Sequence, residues 1–164
     1  MHIISNAFKE GELIPAKYTC DGENISPLLQ IEESPRDTKY FALIMDDPDS
    51  KEGTFTHWII YNIPANLTEL PERLPDSGKL PDGSCQGIND FGKSGYGGPC
   101  PGKGRHRYVF KLYALDSSLN PVLPVSRASI DEVLKGHIIA QANLIGLYER
   151  KTSLFQKLKN IINK

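Results

Sequence analysis

The stretch "SGYGGPCPGKGRHRYVF", Ser94 to Phe110, places an irregular segment directly before a regular one. Five glycines and two prolines precede the histidine at position 106. Glycine adopts backbone angles that other residues avoid and proline fixes its own φ, so these residues predict a loop of defined shape. The residues that follow, Arg107 to Leu115, are rich in aromatic and β-branched side chains and predict a strand. His106 lies at the junction.

Working outward, three further segments have the composition of strands: Tyr40 to Met45, His57 to Ile63 and Asn143 to Tyr148. The loops between them hold most of the 12 prolines and 14 glycines. Short strands with long connections are typical of an antiparallel sheet or sandwich, so we expect a mainly β protein. One connection, Pro64 to Asp90, has four prolines and little periodicity, which predicts a long ordered excursion.

One helix is predicted before residue 150. Ser129 and Glu132 have the spacing of a capping box at its start. Apolar residues then recur at helical spacing, together with one histidine: Ile130, Val133, Leu134, His137 and Ile138. We expect this helix to pack on a sheet.

Composition limits the class of protein. The chain has 164 residues, 39% of them hydrophobic and 24% charged, which fits one globular domain with its own core. A formal net charge of -1 provides no general field to attract nucleic acid. We expect a soluble cytoplasmic protein, because the chain shows neither an export signal nor an apolar run of ~18 residues that could span a membrane.

The three cysteines are an odd number without CxxC spacing. We therefore expect reduced thiols, although Cys20 and Cys100 both lie in loop-like sequence and could meet.

The last segment, Lys151 to Lys164, differs from the domain expected over residues 1–150. It has four lysines, no acidic residue and five apolar residues on one helical face: Leu154, Phe155, Leu158, Ile161 and Ile162. One interpretation is a basic amphipathic helix that makes peripheral contact with a membrane surface or binds a partner. The other is a terminal helix packed on its own domain or on a second subunit. We favour the second, because a helix of ~14 residues is marginal alone.

Carboxylates follow the first predicted strand in "MDDPDSKEGTFTHW", Met45 to Trp58. Carboxylates at the end of an apolar run are costly to bury without partners, so Asp47 and Asp49 predict nearby donors. His57 and His106 are the natural candidates. Alternatively, the two aspartates form an Asx-type turn that ends the strand, and His57 is a core histidine.

Six motifs in this order resemble the phosphatidylethanolamine-binding protein family, in particular its bacterial and archaeal Raf-kinase-inhibitor-like branch. They are "IPAKYTCDGENISPLL", "DDPD", "THWIIYNIP", "GYGGPCP", "HRYVFKLYAL" and "HIIAQANLIGLYER", and the resemblance covers nearly everything from Ser5 to Arg150.

The resemblance implies a sandwich of two antiparallel sheets with a few peripheral helices, one of them near the C-terminus. It also implies a small pocket for phosphate, acetate or a phosphoryl headgroup, no cofactor or resident metal, and a homodimer with the pocket loops near the subunit interface. One wall of the pocket would be formed by Asp47, Asp49 and His57. The other wall would be formed by Gly98, Pro99, Cys100, His106 and Tyr108.

The chain departs from the family pattern on both sides of the implied pocket. Ser50 and Lys51 stand where the family commonly has Ala-Pro, and Gly102 stands where it commonly has a second proline. Fewer prolines mean less rigidity and less apolar wall, so the shape of the pocket and the size of its ligand stay open. Lys51 could add a cation beside the anion.

The residues themselves also favour an anion pocket. Turn glycines can bring backbone N–H groups together in a concave nest. Imidazoles supply further donors, and a carboxylate that accepts from one ring nitrogen orients the ring and raises the pKa of the histidine. Strand alternation places Arg107 and Lys111 on the opposite face from His106 and Tyr108.

Three functions stay open. The first is a non-catalytic binding domain, which is favoured because Ser50 and Ser94 flank the motifs without standing in a GxSxG elbow. The second is a regulator or inhibitor that binds a kinase or protease through the same loops, as some members of the resembled family do. The third is a small hydrolase in which an Asp–His pair acts as general base. A metal site of Asp47, Asp49, His57 and His106 is conceivable but needs a confirmed geometry.

Overall fold

The computed structural model describes residues 1–151, 158–159 and 161–163. The elements in chain order are β1 (His2–Ile4), a 3-10 helix (Ala16–Tyr18), β2 (Leu29–Glu32), β3 (Tyr40–Asp47), β4 (Phe55–Pro64), β5 (Glu69–Leu70), β6 (Cys85–Gln86), β7 (His106–Leu115), α1 (Arg127–Leu134) and β8 (Ile138–Tyr148). The strands form two antiparallel sheets, with the orders β1-β2-β5 and β6-β4-β3-β7-β8. The expected mainly β fold of two antiparallel sheets is confirmed.

The larger sheet lies between two apolar layers, and β3 is its central strand. Phe41, Leu43 and Met45 face the smaller sheet, where most of the core lies. Ala42 and Ile44 face the other way, towards α1 and the loop before it. All five side chains are fully buried. Because both faces of β3 are buried, its sequence is a continuous apolar segment, and the strand could therefore be predicted from the sequence.

The strands extend beyond their predicted bounds at the ends that carry polar residues. β3 continues to Asp47, β4 begins at Phe55 and β7 begins at His106. β8 begins at Ile138, five positions before the predicted start at Asn143. The first half of β8 is largely exposed, and its inward-facing residues are the small Ala140 and Ala142, so its sequence gives a weak strand signal.

The helix is shorter and starts earlier than predicted. Its N-cap is Ser126, whose side chain accepts from the backbone N–H of Ser129, while the Ser129 hydroxyl accepts from the N–H of Ser126 at 2.9 Å. The capping box therefore begins at Ser126, and Ser129 occupies the place that Glu or Gln more often fills. Gly136, with a φ of 79°, follows the end of the helix and directs the chain into β8. The assignment of His137 and Ile138 to the helix was wrong for this reason.

The excursion between β4 and β7 is held to the large sheet by one buried side chain. Gln86 accepts from the indole N–H of Trp58 at 2.8 Å and donates to the carbonyls of Pro75 and Ser77 at 2.7 and 2.9 Å. A single amide thus satisfies the indole on β4 and fixes two points of a proline-rich segment.

Replacing Gln86 by Met should destabilise the protein by about 1–3 kcal/mol, because the buried indole N–H and two carbonyls lose their partners. Urea unfolding of the two forms measures the difference. Gln141→Met is the matched control, since Gln141 is exposed on β8 and its change should have little effect. Equal stability of Gln86→Met and the unmodified protein would show that this amide does not hold the excursion.

Candidate functional site

An open cavity of about 620 Å³ lies at the end of the large sheet where β3 ends and β7 begins. Its walls come from the turn after β3, the start of β4, the excursion and the loop before β7. The lining residues are Asp47, Asp49, Ser50, Lys51, Phe55, His57, Phe91, Cys100, Pro101, Gly102, Lys103 and His106. Five of the eight residues named from the sequence line it, namely Asp47, Asp49, His57, Cys100 and His106.

Asp47 holds His106 and caps the turn at the same time. One carboxylate oxygen contacts Nδ1 of His106 at 2.7 Å, and the other accepts from the backbone N–H of Asp49 at 2.8 Å. The second contact is the Asx turn, so the two interpretations of Asp47 are compatible. Nε2 of His106 faces the carbonyl of Lys103 at 3.2 Å. Both ring nitrogens of His106 thus face acceptors.

Asp49 has a different partner from the one expected. Its carboxylate accepts from the backbone N–H of Arg107 at 2.9 Å and from the Arg107 guanidinium at 3.0 and 2.8 Å. These side-chain and backbone hydrogen bonds lower the pKa of Asp49 to about 2. Arg107 points away from His106, as alternation along β7 predicts, and still reaches the turn. Asp49 therefore lines the cavity as an ionised carboxylate whose charge is balanced by the Arg107 guanidinium.

A β-bulge aims His57 into the site. In the pairing of β3 with β4, Met45 lies opposite Trp58 and Asp46 lies opposite Thr56, which leaves His57 as the extra residue. A bulge places consecutive side chains on the same face, so His57 and Trp58 both face the smaller sheet. Sequence periodicity gives no sign of this bulge.

The His57 ring is fixed by a backbone carbonyl. Its Nδ1–H donates to the carbonyl of Gly97 at 2.7 Å, which makes Nε2 the atom available to the cavity. Burial lowers the pKa of His57 below its ordinary value, against the opposing effects of the Gly97 carbonyl and the Asp47 charge. At neutral pH the ring is therefore uncharged, and Nε2 carries a lone pair.

Two phenylalanines that the sequence reasoning missed form an apolar wall beside His57. Phe55 lies 5.0 Å and Phe91 5.3 Å from the imidazole, between ring centroids, and the two phenyl rings are 4.8 Å apart. Phe91 keeps 46% of its surface exposed. Phe55 could have been found from its position two residues before His57 on the same strand face, but Phe91 lies in the loop that follows the excursion and has no periodic signal.

Three residues named from the sequence lie behind the cavity and do not line it: Gly98, Pro99 and Tyr108. The Gly98 N–H donates to the side chain of Asn24, and a Cβ at this position would lie 2.3 Å from that side-chain oxygen. The Gly97 N–H donates to the carbonyl of His57. These two turn N–H groups are bonded within the protein, so the expected backbone nest does not form here.

Tyr108 lies under the site and is fully buried. Within the part of the chain that the structure describes, its hydroxyl has no hydrogen-bond partner. Burial, followed by the negative charge of Asp47, raises the pKa of this phenol. Its ring packs edge-on against His57 and alongside His106 at centroid distances of 5.2 and 6.5 Å. Tyr108 therefore supports both imidazoles from below.

Cys100, in the wall of the cavity, forms a disulfide with Cys20, with a Cα separation of 5.4 Å. The expectation of reduced thiols was wrong for this pair, whose two loops do meet, while Cys85 is free. The same loops are joined by the Cys20 N–H donating to the carbonyl of Pro99 and by the Tyr96 hydroxyl donating to the carbonyl of Tyr18. The linked loops hold one wall of the cavity in place.

Asp46 serves the opposite face of the sheet. It is 1% exposed and accepts from Arg127 of α1 at 2.6 Å, from Lys111 at 3.0 Å and from the Thr56 hydroxyl at 3.0 Å. This network anchors the start of α1 to the end of β3. Adjacent aspartates thus have separate tasks, because successive side chains of a strand point to opposite faces.

The conceivable metal site of Asp47, Asp49, His57 and His106 is not assembled. In the described portion of the chain, no group of three His, Cys, Asp or Glu side chains is arranged to hold a metal ion. The carboxylates are directed to His106 and Arg107 instead.

Comparison with known proteins identifies relatives of this architecture. The family model described as phosphatidylethanolamine-binding protein matches residues 4–149. A UPF0098 protein of Methanothermobacter thermautotrophicus is 51% identical over 150 residues, which are 92% of this chain and 99% of the relative. A UPF0098 protein of Aquifex aeolicus is 52% identical over 155 residues, covering 92% of this chain and 89% of the relative.

Two solved structures have a similar fold. A phosphatidylethanolamine-binding protein homologue from Chlamydia trachomatis has a TM-score of 0.84 and 39% identity, covering 92% of this chain and 97% of that one. E. coli YbcL, described as a member of the mammalian family of these proteins, has a TM-score of 0.84 and 38% identity, covering 92% and 98%.

The disulfide should be detectable and stabilising. Peptide mapping without reductant should recover the peptides of Cys20 and Cys100 linked, with Cys85 free. A double change of Cys20 and Cys100 to Ser should lower the free energy of unfolding by about 2–4 kcal/mol, because the bond closes a long loop in the unfolded chain. Cys85→Ser is the control and should have a small effect. Three titratable thiols in the purified, unreduced protein would contradict the pairing.

Proposed function

This chain belongs to the phosphatidylethanolamine-binding protein family, and on that premise we propose that its cavity binds a small anion without catalysing a reaction. The ligand is phosphate, acetate or the phosphoryl headgroup of a larger molecule. The observation that carries the proposal is the charge state of the cavity wall, in which each carboxylate is already paired.

The two acidic side chains of the wall do not repel an anion strongly. Asp47 pairs with His106 at 2.7 Å and Asp49 pairs with Arg107 at 2.8 Å. Lys51 and Lys103 are exposed residues that line the cavity, and neither forms an ion pair with an acidic side chain among the residues that the structure describes. Paired acids and available cations together favour an anionic ligand.

His57 supplies the second element of the proposal. Its Nε2 lacks a proton in the free protein, so it must gain one before it can donate to a fully ionised ligand. An anion beside Nε2 would favour the imidazolium and raise its pKa on binding. Ligand affinity should therefore depend on pH through this ring.

The aromatic wall limits what is attached to the anion. Phe55 and the half-exposed Phe91 lie against the His57 ring on one side of the cavity. Apolar surface beside a polar floor favours a ligand whose charged group carries an apolar substituent. We expect such ligands to bind more tightly than inorganic phosphate.

The engagement of both carboxylates argues against Asp47 or Asp49 as the general base of a hydrolase. A general base needs a free lone pair aimed at the proton that it removes. Asp47 and Asp49 instead accept hydrogen bonds from His106, Arg107 and the backbone.

The homodimer, the cytoplasmic location and the role as a kinase or protease regulator stay predictions.

Sulfate is a suitable probe of the His57 contribution, because its charge stays constant across neutral pH. Its affinity should rise as the pH falls towards the lowered pKa of the free His57 ring and level off below it, by at most roughly tenfold per unit, since the free ring is neutral above that pKa. Calorimetry at several pH values measures this dependence. In His57→Gln the pH dependence should weaken markedly.

His137→Gln is the matched control, because His137 contacts Asp116 near the opposite end of β7. It should reproduce the pH profile of the unmodified protein. A sulfate affinity that does not change with pH, or that changes equally in His57→Gln, would rule out a proton gained at His57.

The cations at the mouth should contribute directly. Changing Lys51 and Lys103 together to Ala should weaken phosphate binding by roughly 3–30-fold and reduce its dependence on salt, because two uncompensated charges are lost. Phosphate titration at two ionic strengths measures both effects. Lys79→Ala, at an exposed position of the excursion, is the control. Unchanged affinity in the double variant would place the anion elsewhere.

A further inference from the structure

The disulfide between Cys20 and Cys100 belongs to the wall of the cavity and is within reach of solvent. Cys100 lines the cavity, and both cysteines are only partly buried. The bond joins two loops that are 80 residues apart in sequence. A disulfide beside an open cavity is accessible to an external thiol, whereas a disulfide inside a core is not. The wall therefore contains one covalent bond that can respond to the redox state of the surroundings.

The loop before Cys100 does not depend on the disulfide alone. Three hydrogen bonds join it to the loop of Cys20: from the Tyr96 hydroxyl to the Tyr18 carbonyl at 2.6 Å, from the Gly98 N–H to the Asn24 side chain at 2.8 Å, and from the Cys20 N–H to the Pro99 carbonyl at 3.1 Å. None of these bonds involves the sulfur atoms. The Gly97 carbonyl, which orients His57, lies within this bonded stretch and should keep its place after reduction.

The loop after Cys100 is held much less firmly. Residues 102–105 are exposed. Its hydrogen bonds and ion pairs among the described residues are the contact of the Lys103 carbonyl with Nε2 of His106 at 3.2 Å and the pair of Arg105 with Glu149 at 2.8 Å. Both members of that ion pair are about half exposed, and such pairs contribute little to stability. The disulfide is therefore the last strong anchor before residues 101–105, which carry Lys103 to the cavity.

We propose that the Cys20–Cys100 disulfide is a redox-sensitive device that controls how tightly the cavity binds its anion. With the bond formed, residues 101–105 are anchored at the cavity. With the bond reduced, the same residues gain conformational freedom, which they must lose again when a ligand binds, so the affinity falls. The proposal rests on the function proposed for the cavity, because it requires a ligand there.

Reduction requires a dithiol. A thiolate of the dithiol attacks the sulfur of Cys100, the cysteine that lines the cavity, and the Cys20 sulfur leaves as a thiolate that takes up a proton. The second thiol of the dithiol then attacks the mixed disulfide and releases Cys100 as a thiol. Two electrons and two protons pass from the dithiol to the two cysteines, and the dithiol becomes a disulfide. A disulfide oxidant reverses the reaction.

Limited proteolysis tests the release of the loop without any ligand. Reduction by dithiothreitol should raise the rate of tryptic cleavage after Lys103 and Arg105 at least roughly tenfold, because cleavage follows the population of mobile conformations. Cleavage after Lys79, an exposed residue of the excursion, is the internal control and should keep its rate. Cleavage in the predicted C-terminal helix, much of which lies outside the described residues, is scored separately.

Cysteine variants identify the bond that is responsible. Cys20→Ser/Cys100→Ser should be cleaved rapidly with and without dithiothreitol, whereas Cys85→Ser should respond to the reductant as the unmodified protein does, because Cys85 is the free cysteine. The fluorescence of Trp58, the single tryptophan, reports whether the core stays folded. If reduction moved this fluorescence to that of the unfolded protein, the bond would be structural and the proposal would be overturned.

Sulfate calorimetry tests the effect on affinity. The reduced protein should bind sulfate roughly 3–30-fold more weakly than the oxidised protein. In the oxidised protein, Lys51→Ala and Lys103→Ala should each weaken binding. After reduction the effect of Lys103→Ala should largely vanish, while that of Lys51→Ala should persist, because Lys51 lies in the turn after β3 and not in the released loop.

Failure of this proposal is distinguishable from failure of the proposed function. Equal sulfate affinity in the two redox states, or a loss at Lys103→Ala that is the same in both, overturns the redox proposal and leaves the anion site standing. Unchanged cleavage after Lys103 on reduction overturns it as well. No sulfate binding in either state overturns both.

Discussion

Two adjacent carboxylates at the end of the central strand impose the constraint on which the rest of the structure depends. Asp46 and Asp47 are 1% and 4% exposed, and a charge removed from water to this extent requires partners. Strand geometry sends the two side chains to opposite faces. Asp46 therefore draws α1 to one face through Arg127, and Asp47 orients His106 on the other. The layer behind the sheet and the site in front of it are both anchored at this point.

The cavity is built by fixing irregular backbone to that anchor. The bulge at His57 turns an imidazole towards Asp47, and the Gly97 carbonyl holds the ring by its Nδ1–H. The disulfide of Cys100 and the hydrogen bond of Tyr96 then hold the loop that supplies the carbonyl. Each device immobilises a loop that would otherwise lose conformational entropy on binding a ligand, so the site is preorganised.

The electrostatic character of the cavity depends on which of its charged side chains form ion pairs, more than on how many charged side chains it has. The two aspartates of the wall are paired, Asp47 with His106 and Asp49 with Arg107, while Lys51 and Lys103 line the cavity without an ion-pair partner among the residues that the structure describes. Burial lowers the pKa of His57 below its ordinary value, so its ring carries no charge at neutral pH.

The sequence by itself determined the family, the two-sheet fold and the central strands, because apolar runs and ordered motifs are local features of the chain. It also identified five of the residues that line the cavity. Tertiary structure alone decided the partner of Asp49, the bulge at His57, the contribution of Phe91 and the joining of Cys20 to Cys100, which are 80 residues apart. It also withdrew the N–H groups of Gly97 and Gly98 from the expected nest. The physical reason is the same in each case: these contacts join segments that are distant along the chain, and local periodicity contains no information about which segments meet.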